Sequence, residues 1–245
     1  MNHKTFCLSD RRMPRAAWDD LSERGIIPLP LAPSPVLPPP VASHTDLLVF
    51  PLGKDLLVRG SALSGSPEVF ARLSDAGFAV TATKDGGARY PADVGLCALA
   101  LESKKLLVCR ADATDPLLLS MAERAGLRVL NVRQGYAKCS CAALGDGAVI
   151  TADRGIAAAL TAAGCDVLVI RPGFVSLPGY DTGFIGGASG LWQQDGTRTL
   201  VFCGALETHP DGGAIRDFCA RHGTDVLCLG DGPLFDVGSM FFLNC

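Results

Sequence analysis

Residues 105–132 read Lys105-Leu106-Leu107-Val108-Cys109-Arg110, then a polar stretch to Asp115-Pro116, then Leu117 to Ala125, Gly126 and Leu127-Arg128-Val129-Leu130-Asn131-Val132. The first apolar run is too short for a helix and is rich in residues that favour a strand. Asp115 suits a helix N-cap, Pro116 the first helical position, and Gly126 the left-handed residue that ends a helix. The segment therefore predicts strand, helix, strand.

The same order recurs four times. Residues 55–59 form a strand, 67–76 a helix with Val69, Phe70 and Leu73 on one face, Gly77 its end, and 78–82 a strand. Residues 148–151, the cap Asp153, the helix 156–163, Gly164 and 166–170 repeat it. So do 199–203, a helix 213–222 with Ile215, Phe218 and Cys219 inward, Gly223 and 225–229. The chain opens with a fifth copy: strand 4–8, helix 14–24 with Ala17, Trp18 and Leu21 on one face, Gly25, and strand 26–31, whose prolines suit only a sheet edge.

A further strand is expected ahead of each hairpin, at 46–50, 93–97, 137–141, 181–185 and 236–240. Three of these segments begin Asp-x-Gly, at Asp93, Asp181 and Asp236. The last has no helix after it, and the first residues of the chain have no such strand before them. Joined, the two ends make one complete unit. A ring closed by pairing the termini would remove two sheet edges. The expectation is an α/β fold, a five-bladed α/β propeller of five ββαβ units around a pseudo-fivefold axis, in one domain over 1–245. Its units are 44–83, 91–133, 136–171, 179–230, and 236–245 completed by 1–31, with a Pro-rich linker at 28–40. An ordinary open α/β sheet is the plainer alternative.

Composition narrows function. Lys plus Arg total 22 and Asp plus Glu 25, a net charge of −3, so no basic surplus favours nucleic acid. The longest stretch without a charged residue, 25–45, holds seven prolines and cannot be a membrane helix. No signal peptide is apparent, and the ten cysteines lie mostly in apolar runs, which suits free thiols in a reducing cytoplasm. Only Cys139-Ser140-Cys141 is spaced like a ligand pair, and no second pair accompanies it, so neither a metal nor a cofactor is expected.

Five ββαβ units closed through the termini resemble the pentein fold of the guanidino-group-modifying enzymes. Gly179-Tyr180-Asp181-Thr182-Gly183-Phe184 resembles the His-x-Asp-Thr-x-Phe stretch of arginine deiminases. Residues 134–140, Gln134-Gly135-Tyr136-Ala137-Lys138-Cys139-Ser140, together with 183–190, look like an uncharacterised bacterial branch of that fold, a domain of unknown function. The resemblance implies a Cys nucleophile, a His acid/base and carboxylates that grip a guanidinium. Asp181 matches a gripping carboxylate. The His position is Gly179, and the Cys position falls near Phe241, between Ser239 and Cys245.

If the five segments converge at one mouth, Asp46, Asp93, Lys138, Asp181 and Asp236 meet there. Four carboxylates and an ammonium suit a cationic or amphoteric ligand, although Asp residues ahead of Gly also cap turns. Strand alternation would put Cys139 and Cys141 on one face and Lys138 on the other. Cys139, Cys141 or Cys245 would be a relocated nucleophile. Arg133, Gln134 and Tyr136 would form a polar rim, and Gly186 to Gly190 with Ser189 an anion cradle or a tight packing site. Of the four histidines, His3, His44, His209 and His222, His44 precedes a unit and reaches toward the centre, and His222 ends a helix.

The favoured reading is a small-molecule binder or degenerate enzyme with a cationic or amphoteric, guanidino-like ligand and no Cys/His pair. An amidine hydrolase or amidinotransferase with a relocated Cys, and an assembly protein, are the alternatives.

Overall fold

The computed structural model describes residues 4–245. His3 lies outside the described residues. In chain order the elements are β1 (Thr5–Asp10), α1 (Arg15–Glu23), β2 (Ile26–Leu31), α2 (Thr45–Leu48), β3 (Val49–Leu52), β4 (Asp55–Arg59), α3 (Gly60–Gly65), α4 (Pro67–Asp75), β5 (Ala79–Thr83), β6 (Leu99–Leu101), β7 (Leu106–Cys109), α5 (Pro116–Arg124), β8 (Arg128–Asn131), β9 (Cys141–Ala143), β10 (Ala148–Thr151), α6 (Arg154–Ala162), β11 (Asp166–Val169), β12 (Ser189–Gln194), β13 (Thr197–Cys203), α7 (Gly212–Arg221), β14 (Asp225–Leu229) and β15 (Phe241–Asn244).

The strands form five three-stranded sheets: β15-β1-β2, β3-β4-β5, β6-β7-β8, β9-β10-β11 and β12-β13-β14. Each middle strand pairs antiparallel with the strand before the hairpin and parallel with the strand after the helix. A parallel pair needs a crossover, which α1, α4, α5, α6 and α7 supply. The middle strands β1, β7 and β10 are buried along their whole length, as continuous apolar runs require, whereas β8 is mostly exposed and β11 is half-buried at its two central residues. The chain ends share one sheet: Thr5 pairs with Asn244 and Leu8 with Phe241. β12 also lies against β9 and β15 of neighbouring sheets.

The helices form where their caps and periodicity direct. Asp115 accepts from Leu117 N at 2.8 Å and Asp153 from Ile156 N at 2.8 Å. Gly25, Gly77, Gly126, Gly164 and Gly223 follow five helices with φ between 58° and 89°. The expected inward faces are the buried ones: Ala17, Trp18 and Leu21 in α1, Phe70 and Leu73 in α4, Ile215, Phe218 and Cys219 in α7. Val69 is half-buried beside them. Each large apolar side chain buried there contributes about 1.5–3 kcal/mol, and truncating Phe70 to Ala would remove about 3–5 kcal/mol.

The five leading segments depart from the expectation. Residues 93–97, 137–140, 181–185 and 236–240 are turns and loops, and 45–48 is the short helix α2. The pairing strands start later, at Val49, Leu99, Cys141, Ser189 and Phe241. The cause is visible at Asp236, whose Oδ1 accepts from Gly238 N at 2.9 Å. This side-chain turn replaces ladder bonds and bends the chain before the strand can begin.

Candidate functional site

The leading loops are sewn to one another by backbone hydrogen bonds. Asp46 N donates to Gly238 O (2.9 Å), Gly187 N to Cys139 O (2.9 Å), and Ser239 N to Gly187 O (2.8 Å). Three glycines make the approach possible: a Cβ at Gly186 would strike the carbonyls of Lys138, Cys139 and Cys141, and one at Gly183 or Gly187 would strike the Asp236 carboxylate. Close packing, rather than an anion cradle, occupies these glycines.

A polar cluster results. Ser239 Oγ lies 2.6 Å from Asp46 Oδ2 and 2.9 Å from Gly186 O, and accepts from Lys138 Nζ at 2.9 Å. The Cys139 thiol donates to the same Asp46 Oδ2 at 3.0 Å and stands 3.6 Å from Cys97 Sγ. Asp236 accepts from Phe184 N at 2.8 Å. His44 Nε2 faces Asp236 Oδ1 at 3.8 Å and Asp10 Oδ2 at 4.0 Å, and Asp10 is paired with Arg12. A ring nitrogen of His44, a carboxylate oxygen of Asp46 and Cys139 Sγ lie within 4.8 Å of one another. Asp46, Asp236, His44 and Cys139 are all buried.

Burial sets the electrostatics. It pushes the Asp46 carboxyl up, against the opposing pull of His44 and Lys138. It pushes Asp236 up to about 6, although the Phe184 and Gly238 N–H groups oppose it. It pushes the His44 imidazole down. The Cys139 thiol is driven up by burial first, then by Cys97 and Asp46. Such a thiol stays protonated, a donor rather than a nucleophile.

Beside the cluster, Asp93 is also buried and accepts from Tyr136 OH at 2.6 Å, while the guanidinium of Arg59 donates to Asp93 O. Arg59 is 1% exposed and was not anticipated. Its only sequence sign is a charge closing the apolar run Leu56-Leu57-Val58.

A cleft of about 420 Å³ opens onto Lys138. Ser189, Gly190, Leu191, Met240 and Phe241 line it together with Leu99 and Leu101, and Glu102 and Gln193 are further polar members. The Lys138 ammonium lies 5.7 Å from the Phe241 ring centroid. Cys139 is not among the lining residues.

Several expected site residues lie elsewhere. Asp181 is exposed. Gly183 and Gly187 leave the space into which Asp236 projects. Cys245 is half-buried and donates to Lys4 O at 3.3 Å, away from the cluster. Arg133 is exposed, with its carbonyl accepting from Tyr90 OH. Cys141 begins β9 and packs with Leu106, Val149 and Ile156, while Cys139 packs with Val94 and Cys97. Residues 137–140 form a turn, so the alternation that would separate Lys138 from Cys139 does not operate there, and both serve one cluster. His222 sits between Asp146 and Asp166, at 3.0 and 2.9 Å, after α7.

The profile of a family of unknown function, DUF6873, matches residues 8–241. The chain belongs to DUF6873. No curated protein matches the DUF6873 chain in sequence. Solved structures do match in shape. A DDAH from Pseudomonas aeruginosa, a mutant complexed with citrulline, is 10% identical, with a TM-score of 0.52 and 91% of each chain covered. The inosamine-phosphate amidinotransferase of Streptomyces griseus is 13% identical, with a TM-score of 0.51 over 90% of this chain and 77% of that one. An amidinotransferase from Microseira wollei in the saxitoxin biosynthetic pathway is 9% identical, with a TM-score of 0.51 over 86% and 72%. The DUF6873 chain therefore has the pentein fold of the guanidino-group-modifying enzymes. Among the described residues no helix is long and apolar enough to cross a membrane.

Proposed function

We propose that this DUF6873 chain binds a small amphoteric molecule on the scaffold of the amidino-group enzymes without performing their Cys chemistry. The reading takes the five sheets as a closed ring of five ββαβ units about a pseudo-fivefold axis, with β15 and β1 completing one unit. The five three-stranded sheets and the β15–β1 pairing support that closure.

The observation that carries the reading is the separation of cleft and thiol. The cleft is lined by Lys138 and not by Cys139, whose thiol keeps its proton and donates a hydrogen bond to Asp46 Oδ2, the oxygen that also faces Ser239 Oγ. A ligand carboxylate meets the Lys138 ammonium, an apolar stem lies along Leu101, Leu191 and Phe241, and a cationic end meets Glu102. The ten unpaired thiols support a reducing compartment, the cytoplasm.

Isothermal titration with arginine, agmatine and citrulline tests this. Arginine should bind without turnover, citrulline more weakly because its ureido end is neutral, agmatine more weakly because it lacks the carboxylate, and Lys138→Met should weaken arginine binding at least about tenfold. Absence of binding by all three, or release of citrulline or ornithine from arginine, refutes it.

A second reading, an amidine hydrolase with Cys139 as nucleophile, is favoured by the proximity of His44, Asp46 and Cys139. A thiol-reactive amidine should then label Cys139 selectively, and the label should vanish in Cys139→Ser.

A further inference from the structure

A second concavity, of about 180 Å³, lies among the loops that join β9-β10-β11 to β12-β13-β14 and shares no lining residue with the Lys138 cleft. Its walls are apolar, built from Ile170, Val175, Phe184 and Ile185. Hydrogen bonds hold these walls in place: Val175 O accepts from Gly183 N at 2.8 Å and from Thr182 Oγ1 at 3.1 Å, and Ser176 N donates to Leu234 O at 2.7 Å. Phe174, 44% exposed, stands at the rim, edge-on to the His209 ring with centroids 5.4 Å apart. Ser140 also lines the cavity and is 2% exposed. Its backbone is satisfied, N by Tyr136 O and O by Thr151 Oγ1, yet its Oγ has no hydrogen-bond partner. Buried hydroxyls are normally paired, so this one marks where a ligand can supply the partner.

We propose that this cavity binds a neutral, single-ring aromatic molecule bearing a hydroxyl group. Size selects one ring, since an apolar cavity of about 150 Å³ takes benzene. A ligand hydroxyl and Ser140 Oγ can each donate or accept, so the pair is satisfied in either direction. The charged groups around the cavity are already engaged, which selects a neutral ligand. Arg171 donates to Asp211 Oδ1 from Nε at 3.0 Å and from a terminal nitrogen at 2.7 Å. Asp153 Oδ1 accepts from Ile156 N, and its Oδ2 from Gln134 Nε2. His209 Nδ1 accepts from Asp211 N at 3.0 Å and burial pushes its pKa down, so the ring is uncharged. An anion would find no unpaired cation among the described residues of the lining and would face the Asp153 carboxylate. The Phe184 and His209 rings give an aromatic ligand surfaces to pack against.

The cavity is separate from the Lys138 cleft, so the proposal stands or falls independently of the amphoteric-ligand reading. Phenol, toluene and benzoate are titrated in turn into isotopically labelled full-length protein, and the amide shifts are followed by NMR. Phenol should saturate with a Kd of about 1 mM or tighter, within reach of so small a ligand. The shifts should centre on Ser140, Val175, Phe184 and His209. Benzoate should bind at least about tenfold more weakly, because its charge is desolvated without a partner. Ser140→Ala should weaken phenol binding about tenfold and leave toluene unchanged. Because Ser140 Oγ has no protein partner, this variant should keep its urea midpoint. Ala152→Leu adds volume at a half-buried wall position and should abolish binding of both phenol and toluene, an independent reading if Ser140→Ala does not fold. Any of four results overturns the site: no saturable phenol shifts, shifts centred on Lys138 and Phe241 instead, benzoate binding as tightly as phenol, or phenol affinity unchanged in either folded variant.

Discussion

Ser239 Oγ and Asp46 Oδ2 are 2.6 Å apart although 193 residues separate them in sequence. The contact ties the loop before the last strand to the short helix that leads into β3. The backbone repeats the tie, since Asp46 N donates to Gly238 O. Both side chains are buried, so the contact is not exchanged for one with water.

The tie depends on Gly238. Its φ is +62°, and a Cβ there would collide with the backbone and ring of His44. Gly238→Ala should cost about 3 kcal/mol, from left-handed strain and overpacking together. Gly213→Ala, in α7 with nothing near its Cβ position, should be neutral or stabilising by up to about 1 kcal/mol. Urea denaturation of the two variants checks the contrast, and equal midpoints would remove the steric argument.

Stability should fall as pH rises through the acid range because of Asp236. Its carboxyl is raised from 3.8 to about 6 in the folded chain. The folded state therefore binds more protons than the unfolded state between these values. The contribution is fully present below pH about 4 and lost as pH passes about 6, a change of about 3 kcal/mol. Paired carboxylates such as the half-buried Asp211 titrate in the opposite sense, so the comparison is with Asp236→Asn, whose profile should fall less over this window. Parallel profiles for the two proteins would exclude Asp236 as the titrating group.

Deletion of residues 1–31 should give an insoluble product. It removes β1, the middle strand between β15 and β2, and strips Phe241 and Leu243 of their pairing partners. The exposed edge and apolar strand would drive association. A monomeric truncation with unchanged helical circular dichroism for its remaining helices would show that the terminal sheet is dispensable.

Native thiol reactivity should run opposite to the needs of Cys139 catalysis. Cys228 and Cys245 are half-buried, whereas Cys139 is buried and its thiol is held protonated. Alkylation of Cys139 at neutral pH, mapped by mass spectrometry, should be at least about tenfold slower than at Cys245. Fastest labelling at Cys139 would favour the hydrolase reading instead.

The five helices, their inward faces, their terminal glycines and the shared terminal sheet were legible in the sequence, because each follows from local chemistry: a cap, a 3.6-residue period, a residue that tolerates positive φ. The pentein resemblance was legible for the same reason, through the repeat. The start of each leading strand was not, because Asp-x-Gly reads equally as a strand opening or as a turn, and only packing against another loop selects the turn at Asp236. The cluster itself was half legible. Asp46, Lys138, Cys139, Asp236 and Ser239 were candidates, and His44 was seen as able to reach the centre. Asp181, Cys245 and Arg133 were drawn in by pattern and lie outside it. Cys97 and Arg59 carried no local sign at all. Which residues meet depended on glycines 183, 186 and 187 letting one loop sink against two others, with the Asp236 carboxylate in the space they leave. That choice is made by contacts between segments tens to hundreds of residues apart, and short-range periodicity carries no information about them.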